Sequence, residues 1–132
     1  GKVTAEEARA TAEKIADLVF TGRDPVPAVD GGEVRILYIG AMKPERLEKY
    51  PQLSDYPEME IAPTTHDSNG SRKVILTRVA ANVPIGGLRE RRVPANLERV
   101  SDTVLELNCT RRLAPGSYAI SVNDQAFELN VE

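Results

Sequence analysis

"LAPGSYAISVNDQAFELNVE", residues 113–132, decides the fold. Tyr118, Ile120 and Val122 alternate with small or polar residues, and Phe127, Leu129 and Val131 repeat the pattern beyond Asn123 and Asp124. Facing residues of an antiparallel pair lie on one side of a sheet. A two-residue turn at Asn123 and Asp124 therefore sets Ile120 opposite Phe127 and Tyr118 opposite Leu129. Both turn residues tolerate the positive φ that such a turn requires. The hairpin predicts Tyr118, Ile120, Phe127 and Leu129 as core residues.

Just upstream, Pro115 and Gly116 suit the two central positions of a type II turn. That turn predicts that the strand in "TVLELNC", residues 103–109, folds back on 117–122 and makes the last three strands a meander. Leu105, Leu107 and Cys109 share one face of it. Leu113, Pro115, Gly116, Tyr118 and Val122 resemble the LxPGxYxxxV stretch that leads into the penultimate strand of fibronectin type III and related immunoglobulin-like sandwiches. In that family the tyrosine makes a corner hydrogen bond. The resemblance implies an antiparallel sandwich and nothing specific about activity. The chain departs from the family in having no tryptophan and in opening with a helical pattern.

That helical pattern runs over residues 5–20. Thr4 and Glu7 have capping-box spacing, and Ala8, Ala12, Ile15, Leu18 and Val19 recur at helical intervals up to Gly22. Its other face carries Glu6, Glu13, Lys14 and Asp17, which argues against an anionic membrane and for docking on the domain or on a partner. "GRDPVPAVDGG", within residues 22–32, reads as a linker. "EVRILYIG", 33–40, is a strand with Val34, Ile36 and Tyr38 on one face and Leu37 and Ile39 on the other, expected to be covered on both sides. Residues 44–49 suit one short helical turn, after which Pro51 and Pro57 forbid regular structure and leave a long loop. "MEIAPTT" and "RKVILTRVAA" flank the turn-rich "HDSNGS" as a hairpin. Residues 82–100 read as irregular at both ends. The expected fold is one domain over 1–132. It is mainly β, an antiparallel immunoglobulin-like sandwich of six or seven strands over 33–132 with one N-terminal α-helix packed on it.

Composition bounds the function. The chain has 132 residues, 41% hydrophobic and 28% charged, enough for a buried core without staples. No apolar run approaches the roughly 20 residues of a membrane span. Gly1 in place of Met marks a processed or recombinant chain, so a leader or anchor can have been removed. The lone Cys109 excludes an internal disulfide and any CxxC site, and suits cytoplasm and periplasm alike. An exported bacterial protein, periplasmic or extracellular, is the expected home. Net charge is -3, yet residues 72–112 carry 9 basic and 4 acidic groups while residues 1–71 carry 8 and 13.

No motif carries chemistry. His66 stands alone, and a surface turn is its expected place; zinc wants several His or Cys ligands, and "HDSNG" lacks the spacing of a calcium loop. "IGG" at 85–87 beside Arg89 lacks the Lys and Ser or Thr of a phosphate loop. Neither a nucleophile–base pair nor a cofactor site can be assembled, so a non-catalytic binding or assembly role follows. Asn69 with Ser71 and Asn108 with Thr110 match glycosylation acceptors, a pattern common by chance. Cys109 reads as a buried, inert thiol. Arg89, Arg91, Arg92 and Arg99, with Arg111 and Arg112, offer a site for a polyanion. Without interleaved aromatics, and at pI ≈ 5.3, nucleic acid is not the expected partner, and a solvated face paired with the acidic helix is the plainer reading. "YPQLSDYP", 50–57, is the most unusual feature. Tyr50, Pro51, Tyr56 and Pro57 make a rigid amphipathic surface suited to another protein or to stacked sugars, unless both rings cover the open end of the sandwich.

Overall fold

The computed structural model describes residues 18–21, 28–32, 34–40, 42–76, 91–123 and 125–132. In chain order these form β1 (Leu18–Phe20), β2 (Arg35–Ile39), α1 (Pro44–Lys49), a 3-10 turn (Leu53–Asp55), β3 (Met59–Pro63), β4 (Thr65–His66), β5 (Arg72–Val74), β6 (Ala95–Ser101), β7 (Val104–Cys109), β8 (Gly116–Val122) and β9 (Gln125–Val131). They assemble into three antiparallel sheets, ordered β2-β7-β6, β3-β8-β9 and β1-β5-β4. The protein is mainly β, with one small helix among the described residues.

The closing hairpin has the expected register. Ile120 pairs with Phe127, Tyr118 with Leu129 and Val122 with Gln125, and Asn123 takes φ 53° at the turn. β3 lies on the other side of β8, with Ile61 opposite Ile120. Ile61, Tyr118, Ile120 and Val122 from this sheet and Leu97, Leu105 and Leu107 from β6 and β7 fill one core, closed by Leu47, Leu53, Tyr56 and Leu113. Two sheets around one core give the molecule a β-sandwich character. β8 is buried on both faces: Ser117, Ala119 and Ser121 turn away from the main core, and Ala119 joins Ala62, Val74, Leu76 and Phe20 in a second cluster under the third sheet. Across that junction Arg72 and Glu128 form a bidentate pair, Nε to Oε2 and Nη2 to Oε1 both at 2.7 Å, and the Ser117 hydroxyl donates to Oε2 at 2.6 Å.

Several expectations are corrected. Phe127 is 53% exposed, because β9 is the edge strand and its core-side face overhangs the rim. Phe127→Ala should therefore cost no more than about 1 kcal/mol, against about 2 to 5 kcal/mol for Ile120→Ala in the interior. Paired thermal melts check this; equal losses would contradict the register of burial. There is no meander: β7 is occupied on one edge by β2 and on the other by β6, so residues 110–115 cross to the other sheet instead. Gly116 enters β8 at φ 145°, which a residue with a Cβ rarely adopts. Among the described side chains, β2 is covered on one face only. Val34 is buried, but Leu37 is 66% exposed on the outer side. Leu18–Phe20 form a strand paired with Arg72–Val74, not the last turn of a helix, since a β-branched and aromatic run finds an open sheet edge there; residues 5–17 lie outside the described residues. Within the expected linker, Val29 bridges Val131 in parallel and the Leu113 N–H donates to Gly31 O at 2.8 Å, so its second half is fixed to the domain. The stretch 82–100, read as irregular at both ends, ends within β6, whose inward face offers only Ala95 and Leu97 between polar neighbours.

Candidate functional site

The 50–57 loop is held by its own backbone. α1 ends where the Tyr50 N–H donates to Arg46 O at 2.8 Å. Pro51 O then accepts the Leu97 N–H at 2.8 Å and Gln52 bridges Asn96, which lays the loop along the free edge of β6. The Asp55 carboxylate accepts the Gln52 N–H at 3.2 Å and tightens the 3-10 turn. Proline cannot donate to a ladder, so the loop touches the edge without extending the sheet.

The two tyrosines part company here. Tyr56 is fully buried; its hydroxyl donates to Tyr50 O at 2.7 Å and its ring lies 5.0 Å under the Arg46 guanidinium. Burial pushes the Tyr56 phenol above its ordinary pKa, with Arg46 opposing. Tyr56 is a core residue and not part of a partner-facing surface, because the end of the sandwich needs a ring to close it. Tyr50 is 42% exposed beside Lys49, and Pro51 and Pro57 are exposed.

The arginines are equally divided. Arg89 lies outside the described residues. Arg92 is half-buried, donating to Met59 O at 3.3 Å and lying 3.8 Å from Glu60. Arg99 pairs with Asp102 in the turn between β6 and β7, and Arg112 lies 3.4 Å from Asp30. Arg91 and Arg111 are exposed, and no ion pair holds either of them among the described residues.

The two stretches singled out by the sequence meet. Gln52, Leu53 and Ser54 from the loop, Arg92 to Asn96 from the approach to β6, and Thr110 and Arg111 after β7 line one open groove of about 530 Å³. Among the described residues no carboxylate lines it. Leu53, Val93 and Ala95 are buried beneath, so its walls belong to the core. Within the 50–57 stretch the sequence does not mark Gln52 or Ser54 for binding, nor Thr110 after β7; the bridge of Gln52 to Asn96 and the bond of the Thr110 N–H to Pro94 O bring them together. A second hollow of about 500 Å³, at the end of the sandwich, has Met42, Met59 and Val122 in its lining with Lys43, Arg46 and Glu58, a mixed and self-compensating set.

His66 is exposed on β4. Among the described residues no three His, Cys, Asp or Glu side chains come together as a metal site, and no helix is long and apolar enough to cross a membrane. Cys109 is half-buried, and burial pushes its thiol pKa up. Its alkylation by iodoacetamide in the native protein should accordingly be slower than in the urea-unfolded chain at the same pH, as mass spectrometry can time; equal rates would contradict its burial. Comparison of the chain with protein-family models, with curated proteins and with solved structures finds no match.

Proposed function

We propose that this chain is a non-catalytic binding domain that engages another protein through the groove between the 52–54 loop and Arg111. The observation that carries the reading is convergence: the Tyr-Pro loop and the arginine-rich stretch, far apart in sequence, line one groove with a buried floor. A rigid wall lowers the ordering cost of binding. Fold-level support comes from the strand orders β2-β7-β6 and β3-β8-β9, from Val29 running parallel to Val131, and from the Tyr118 hydroxyl donating to Ala114 O at 2.7 Å. These favour an immunoglobulin-like sandwich with a tyrosine corner. On that architecture we assign the domain to an exported bacterial protein.

The test is site-directed photo-crosslinking in an extract of the source organism. A photoreactive residue at Ser54 should give a discrete protein adduct that excess unlabelled domain competes away. The same probe at Thr65, exposed on β4, should not. Equal adducts from both positions, or none from Ser54, would refute the proposal.

A further inference from the structure

The geometry points to an extended acidic peptide, presenting aspartate or glutamate side chains, as the occupant of the groove; this rests on the protein-binding reading above. Charge selects it. Arg92 and Arg111 are lining residues, Arg91 is exposed beside Arg92, and among the described residues no acidic side chain shares the lining. Arg92 is fixed by Met59 O and already faces the Glu60 carboxylate, so it shapes the groove, and Arg111 is the lining cation left to meet a ligand. Arg111 has no internal carboxylate among the described residues. A guanidinium in that state offers a planar fork that a carboxylate meets with two parallel hydrogen bonds.

The remaining lining suits main chain. An extended peptide must satisfy alternating N–H and C=O groups, and the groove supplies the hydroxyls of Ser54 and Thr110 and the side-chain amide of Asn96. The Thr110 hydroxyl donates to Pro94 O at 3.4 Å, which leaves its oxygen lone pairs to accept a ligand N–H. A nucleic acid fits worse, since among the described residues the lining has no aromatic ring on which a base stacks.

The experiment is selection of a randomised octapeptide library on the full chain, followed by titration of the synthetic winner. We expect Asp or Glu at one or two enriched positions, with affinity lowered at least about tenfold by Arg111→Glu and weakened by added salt. The melting temperature of that variant should hold, since Arg111 is exposed. Winners without acidic residues, indifferent to Arg111→Glu, would overturn the acidic class while leaving a protein partner in place. Heparin or a single-stranded oligonucleotide binding more tightly than any selected peptide, and released by Arg111→Glu, would overturn it in favour of a polyanion. Failure to select any peptide, together with no adduct from Ser54, would remove both readings.

Discussion

Tyr56→Ala is expected to destabilise the domain by about 3 to 5 kcal/mol, the usual cost of deleting a fully buried ring. Tyr50→Ala should stay within about 0.5 kcal/mol. The contrast follows from placement. Tyr56 is fully buried, and its hydroxyl fastens the loop to the end of α1 through Tyr50 O. Tyr56→Phe isolates that bond and should cost about 1 kcal/mol. Urea titrations of the three variants check the ranking. An unchanged midpoint for Tyr56→Ala would contradict the burial, and a large loss for Tyr50→Ala would mean that its exposed ring is structural.

The second large effect belongs to the junction of the third sheet. Arg72 is 2% exposed and forms its bidentate pair with Glu128. Glu128→Gln removes the anion of that pair from beside a buried guanidinium, which should cost about 3 to 5 kcal/mol. Replacing both residues, as in Arg72→Met with Glu128→Leu, should recover much of the loss, because the desolvation penalty leaves with the charges. The hydrogen bonds from Arg72 hold the Glu128 carboxyl below the ordinary glutamate range against the opposing effect of burial, with the Ser117 hydroxyl and His66 helping. A depressed folded-state pKa stabilises above the unfolded value of about 4.3 and ceases to do so as pH falls through the folded value. Stability should therefore fall on the acid side of pH 4.3, and Glu128→Gln should flatten that arm of the profile. An identical acid arm in the variant would contradict the assignment.

Much of the fold was legible because the closing hairpin is consistent at every level: alternation, turn residues and register all agree, and Tyr118 pairs with Leu129 as its spacing predicts. Burial was less legible than pairing. Phe127 and Ile120 are equivalent in pattern, yet one sits on an edge strand and the other on a central one, and alternation does not rank strands within a sheet. The error at Leu18–Phe20 has the same source, since a short apolar run suits helix and strand alike until a sheet edge claims it. β6 escaped notice because its charged outer face and bulge near Arg99 dilute the period. For the site, composition marked the right stretches and mixed their roles. A Tyr-Pro repeat does not tell which ring turns inward, and an arginine run does not tell which members already hold a carboxylate. The groove itself depends on the contact between Gln52 and Asn96, a non-local pairing that no local pattern encodes.

A two-dimensional amide NMR titration of the labelled chain with the selected octapeptide tests the groove most directly. Saturable shifts are expected to cluster at Gln52, Leu53, Ser54, Asn96, Thr110 and Arg111 and to vanish in Arg111→Glu, while Phe127 and His66 stay still. Shifts centred on Leu37 or Phe127 instead, with the groove residues unmoved, would contradict the groove as the binding site.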